Sequence, residues 1–201
     1  MKKDNYIIKS LNGMAYGFFC SLIIGTIFKQ IGNFANISQL VAWGEVATYL
    51  MGPAIGAGIA YAIDAKGLNL IAAVIAGTIG AGTFNGNTAT TGNPIAAFVA
   101  VIIAVEVTRL VQGKTPVDIL LVPFTSIIVA GIVTIFIGPY ITKLIVWIGD
   151  LINQGVNMQP FFMSIVVAVL MGMALTAPIS SAAIGVMLGL NGLAADRKSV
   201  V

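Results

Sequence analysis

Seven polar side chains crowd the stretch between residues 82 and 94: the amides Asn85, Asn87 and Asn93, and the hydroxyls Thr83, Thr88, Thr90 and Thr91. Amides and hydroxyls both donate and accept hydrogen bonds, so this set suits a neutral, polyhydroxylated ligand better than an ion. Phe84 adds an aromatic face on which such a ligand could stack. Asn93-Pro94 reads as a helix start, with asparagine as the cap and proline at the first helical position. That start would aim free backbone amides and a positive helix end at the stretch. Asn85, Asn87, Thr88 and Asn93 are therefore the proposed binding residues. The plainer alternative, a turn between two helices with no ligand, stays open on the residues alone.

Two further features could do chemistry. Glu106 and Arg109 stand three apart, on one face of a helix starting at Pro94. Glu106 lies about 18 Å along that helix at 1.5 Å per residue, and an ionisable group at that depth is a functional candidate by default. Its other reading is neutralisation by Arg109. Thr176-Ala177-Pro178-Ile179-Ser180-Ser181 is small, hydroxylated and broken by proline, which makes Thr176, Ser180 and Ser181 candidates for a second polar turn facing the first. It could equally be a kink. Glu45 reads as an interface residue, or as an acceptor for ligand hydroxyls. Histidine is absent and Cys20 is the single cysteine. These exclude histidine-based metal sites and general bases as well as an internal disulfide. No phosphate-binding loop, nucleophile elbow or dinucleotide fingerprint appears. No catalytic residue, metal site or cofactor is expected.

The elements that must hold these residues are set by hydropathy. The 201-residue chain is 58% hydrophobic and 8% charged, whereas a soluble domain is about a quarter charged. A lipid bilayer removes the exposed apolar patches that such a chain would otherwise carry. The expected fold is an all-α, polytopic integral membrane protein with interrupted or re-entrant segments. Ser10 to Phe28 gives nineteen uncharged residues, too long for a signal-peptide core of roughly 7 to 15, and reads as the first span. A polar loop follows from Lys29 to Ser38. The second span covers residues 40–63, kinked at Gly52-Pro53. Residues 68–82 are short for a span, so the polar stretch after them is placed at membrane depth. The fourth span runs from Pro94 to Val111 and the fifth over 119–142, interrupted at Pro123 and Gly138-Pro139. An interfacial helix over 143–159, a sixth span over 160–177 and a short apolar piece over 182–190 complete the pattern.

With the N-terminus inside, Lys2, Lys3, Lys9, Lys66 and Lys114 face the cytoplasm, while Lys29 and Lys143 face out. This is the bias the positive-inside rule expects, and it puts the polar stretch near the outer side. No basic stripe suited to nucleic acid is present. Residues 196–201, Asp196-Arg197-Lys198-Ser199-Val200-Val201, break the apolar pattern and match one reading frame of a sequencing-library adapter. The expectation is a membrane domain over 1–195 that continues past Ala195 in a longer protein.

Several stretches resemble the membrane IIC components of bacterial sugar phosphotransferase systems, in the perfringolysin regulator-like subgroup. They are Gly92-Asn93-Pro94 leading to Glu106, Gly113-Lys114-Thr115-Pro116-Val117-Asp118-Ile119, Leu151-Ile152-Asn153, Met158-Gln159-Pro160-Phe161, and Met171 through Ile184. The resemblance implies sugar uptake coupled to phosphorylation in the bacterial plasma membrane. IIC would bind and move the sugar, and the IIB and IIA components would supply the phosphate. It also implies a homodimer. The lack of histidine fits a chain that relays no phosphoryl group itself. The alternatives are a membrane regulator that binds a solute without moving it, and an ion-coupled carrier that uses Glu106.

Overall fold

The computed structural model describes residues 3–144 and 147, apart from 83, 86, 87, 90, 91 and 115; for 3–5, 84, 85, 88 and 89 it describes the backbone. The interfacial helix after residue 147, the sixth span and the 196–201 tail lie outside the described residues. The chain divides into two units, Met1–Pro139 and Tyr140–Val201, and the first carries the elements that follow.

The fold is all-α. Helix α1 (Lys3–Phe18) passes through a π-helical turn, Phe19–Ile23, into α2 (Ile24–Ala35). Helices α3 (Ser38–Tyr49), α4 (Met51–Ala62), α5 (Leu68–Ala81), α6 (Pro94–Val111) and α7 (Asp118–Phe136) follow. Among the described residues, three helical stretches are long and apolar enough to cross a membrane: Tyr6–Ala35, Pro94–Val111 and Asp118–Phe136.

The expected spans need three corrections. The first helix does not end at Phe28. Ile24, Ile27, Phe28, Ile31 and Phe34 keep helical spacing through the polar residues between them, so the helix runs on until Asn36. Asn36 adopts the left-handed conformation (φ 54), which asparagine tolerates better than most residues, and Ile37 N–H closes the end on Gly32 O at 2.9 Å. The second span is two helices, and the break falls at Leu50 (φ −80, ψ 11), not at Gly52-Pro53. Pro53 is the third residue of α4, where its missing N–H costs no bond within α4. The fifth span is not interrupted at Pro123; its expected interruption at Gly138-Pro139 falls next to the end of α7 at Phe136. Pro123 stays within α7, near its start.

Packing inverts the pattern of a soluble protein. The interior of α5 and α6 is made of small side chains: Ala72, Ala73, Ala76, Ala97, Ala100 and Ala104 are at most 1% exposed. The large apolar residues of α7, among them Ile119, Leu120, Phe124, Ile132 and Ile135, point outward, where lipid can cover them. Small residues let helix backbones approach closely where no hydrophobic drive separates protein from solvent. Gly13 lies on Gly58, and Gly17 on Ala54 and Ile55, so α1 packs antiparallel to α4. Gly25 lies on Gly44 in the same way for α2 and α3, and Gly56 and Gly77 seat α4 on α5.

A Cβ at Gly17 would meet the Ala54 backbone, whereas one at Gly131 would meet nothing within 4 Å. Gly17→Ala should therefore lower stability in detergent by about 1–3 kcal/mol, the usual cost of overpacking. Gly131→Ala should hold or gain up to about 1 kcal/mol through helix propensity. Thermal unfolding of the two purified variants checks the contrast, which fails if Gly17→Ala melts at or above the parent.

Candidate functional site

The polar stretch after α5 is pinned at its base. Gly82 takes the left-handed conformation (φ 66) and ends α5. Asn93 N–H then donates to Ala81 O at 2.8 Å, so the chain returns to the end of the helix it left. Gly92 (φ 73) lies against Ala81, and a Cβ there would stand 2.7 Å from Ala81 O. Both the backbone angle and the space demand glycine. Between these fixed ends β1 (Phe84–Asn85) pairs antiparallel with β2 (Thr88–Ala89), with Asn85 opposite Thr88. The stretch is therefore a closed loop holding a short hairpin.

Asn93 is the N-cap of α6. Its Oδ1 accepts from Ile95 N–H at 3.0 Å and Ala96 N–H at 3.1 Å, with Pro94 at the first helical position. The cap expected from Asn93-Pro94 is formed. It occupies the side-chain oxygen. Asn85, Thr88 and Asn93 thus share one end of the α5–α6 pair. Asn87, Thr176, Ser180 and Ser181 lie outside the described residues.

Glu106 is not part of that end. Thirteen residues separate it from Asn93, about 20 Å along α6, and it sits among charged and polar partners at the opposite end. Tyr6 OH donates to Glu106 Oε1 at 2.6 Å, and Arg109 Nη1 donates to the same oxygen at 2.7 Å. Arg109 Nη2 donates to Ile63 O at the C-terminus of α4, where a cation offsets the negative helix end. Lys9 and Asp64 form a 3.5 Å ion pair at the same end. One carboxylate and one guanidinium so tie α1, α4 and α6 together. The side chains of Glu106 and Arg109 are 49% and 32% exposed, and both are engaged. Neutralisation by Arg109, one of the two readings of Glu106, is the geometry observed.

Beneath this cluster lies a buried polar contact that hydropathy does not reveal. Thr108 Oγ1 donates to Asn69 Oδ1 at 2.6 Å, and Asn69 and Thr108 are 1% and 0% exposed. Asn69 Nδ2 reaches Val105 O at 3.5 Å. The available signal is Asn69 itself, an amide at the start of an otherwise apolar segment. Tyr6 has no comparable signal, because its partner is a hundred residues away.

Glu45 is exposed on α3 and borders an open groove of about 390 Å³ with Gly32, Asn33, Asn36, Ser38, Val41 and Ala42. Among the described residues, no group of three His, Cys, Asp or Glu side chains could hold a metal ion.

Residues 8–196 match the family described as Phosphotransferase system, EIIC. No curated protein and no solved structure matches the chain. The match spans nearly the whole sequence, and the chain belongs to this family: it is an EIIC-type membrane component of a phosphotransferase system.

The two ends of α6 should respond differently to substitution. Asn93→Ala removes the cap and should cost about 1 kcal/mol, whereas Asn93→Asp keeps an acceptor and should stay near the parent. At the other end, Arg109→Ala strips partners from both Glu106 and Ile63 O, so it should lower the melting midpoint more than Glu106→Gln, which keeps an acceptor for Tyr6. Thermal unfolding in detergent ranks the four variants. Equal loss at Arg109→Ala and Glu106→Gln would contradict the shared clamp.

Proposed function

We propose that this chain is the sugar-translocating IIC subunit of its phosphotransferase system, with the loop over residues 82–93 contributing the solute contacts. Family membership across residues 8–196 carries this reading. The loop supports it: it is dense in amides and hydroxyls, closed on Ala81 O and held at the positive end of α6. Polar chain set between interrupted helices is a known transporter arrangement. Asn85, Asn87, Thr88 and Asn93 are the proposed contacts; Thr176, Ser180 and Ser181 are proposed as contacts on their residue chemistry alone. Glu106 is better read as part of the clamp at the far end than as a contact or a proton carrier, because its carboxylate already accepts from Tyr6 and Arg109.

The substrate class is a neutral sugar or a related polyol. Phosphate comes from a separate IIB component, itself charged by IIA, since the chain has no histidine and its one cysteine, Cys20, lies within the first helical span. The distribution of lysines supports a cytoplasmic N-terminus in a bacterial plasma membrane, with the loop facing out. A homodimer is the proposed assembly.

The test is a thermal-shift screen of the purified chain across a sugar panel. A ligand at a hundred times its Kd adds about 2.7 kcal/mol to stability, a shift of several degrees. Asn93→Asp, which keeps the helix cap, should melt like the parent without sugar and lose most of that shift. Stabilisation by another solute class and by no sugar would overturn the proposal. Sugar binding without accumulation in vesicles would instead assign the chain to sensing.

A further inference from the structure

Two irregularities stand side by side in the first helical pair. Gly17 faces Ala54 and Ile55, and Gly25 faces Gly44 and Thr48. The π-turn Phe19–Ile23 therefore lies level with the Leu50 break between α3 and α4, and both α3 and α4 touch it. Each irregularity leaves its helix short of regular backbone bonds. The wider π-turn displaces the normal pattern, and Ser21 Oγ donates to Gly17 O at 2.7 Å beside it, a side-chain bond of the kind that bends helices. On the facing side of the pair, Pro53 has no N–H to offer Tyr49 O.

The packing on either side of this level is separate. Below it α1 is locked onto α4, and α4 onto α5, by glycine contacts. Above it α2 and α3 pack chiefly on each other, through Gly25 on Gly44 and Gly32 on Val41. The outer face of α2 is a bare apolar stripe: Ile24, Ile27, Phe28, Ile31 and Phe34 are 43%, 47%, 39%, 51% and 90% exposed. The pair also overreaches its neighbour. Gly52 faces Gly77; beyond that level α5 continues for four residues, about 6 Å, while α3 supplies twelve, about 18 Å.

We propose that α2 and α3 form a rigid arm that pivots about the paired π-turn and Leu50 break, swinging beside the loop over residues 82–93 and so controlling access to that end of the bundle. Two helices broken at one level can bend together without shearing their contact. A single break opposite an unbroken helix could not. The hinge is thus built into backbone geometry, and the two glycine-locked halves keep their shape as it moves.

The proposal is tested by spin-label distances in nanodiscs. The sole cysteine is replaced (Cys20→Ser), and labels are placed at Asn33→Cys on the arm and Ile128→Cys on α7, both exposed positions. A pair within the arm, Gln30→Cys and Ala42→Cys, serves as the rigid reference. The arm-to-bundle distribution should be at least twice as wide as the reference. Two variants should narrow it. Pro53→Ala restores an N–H for Tyr49 O. Deleting position 20, exposed in the π-turn, removes the extra residue and returns the turn to α-helix. Narrowing by either one confirms the hinge. An arm-to-bundle width equal to the reference in the parent, or a width unmoved by both variants, overturns it, and the parent measurement decides the matter alone if neither variant folds.

Discussion

Direct contact between helix backbones is the constraint on which this structure depends. In lipid the outward faces gain little by being buried, so helices hold together through close packing of small residues. Gly13, Gly17 and Gly58 bring α1 onto α4, and Gly56 and Gly77 bring α4 onto α5. The alanines of α5 and α6 extend the same principle inward. The consequence is a scaffold whose rigid parts are those lacking side chains. The loop over residues 82–93 inherits that rigidity at its ends, because Gly92 must lie against Ala81 for Asn93 to reach both its backbone acceptor and its capping position.

Helix α6 joins two regions of opposite character. Its N-terminus carries the uncharged amide and hydroxyl loop, and its C-terminal half carries Glu106 and Arg109 within a clamp to α1 and α4. The ionic groups fasten one end of the helix, and the loop at the other end carries no charge. Grouping Glu106 with the loop, as its isolation in an apolar run invites, places together residues that α6 holds about 20 Å apart.

Much of this is legible in the residues themselves. Asn93-Pro94 locates the start of α6, and its apolar run gives the end at Val111. The three-residue spacing of Glu106 and Arg109 gives their ion pair. Other features are hidden for definite reasons. Lys29, Gln30 and Asn33 make a helix look like a loop, because counting polar residues ignores the periodicity of the apolar ones between them. Pro53 draws the break three residues too far, because a proline in the first turn costs a helix no internal bond and so marks a start as readily as a kink. Tyr6 and the Asn69–Thr108 contact depend on pairings 100 and 39 residues apart, which no local pattern encodes. Asn87, Thr176, Ser180 and Ser181 belong to stretches beyond the described residues, and their roles rest on residue chemistry and resemblance.

The shortness of α5 bears on the surrounding medium as much as on the protein. Fourteen residues make a rod of about 21 Å, against roughly 30 Å of hydrocarbon in an ordinary bilayer. The headgroups and their hydration must dip by several ångströms where α5 ends, or water must enter to wet the hairpin from one side. In the first case the acyl chains beside this helix are compressed. Lipid tail length then becomes a physical variable of the site: short-chain bilayers relieve the deformation, and thick, ordered ones oppose it.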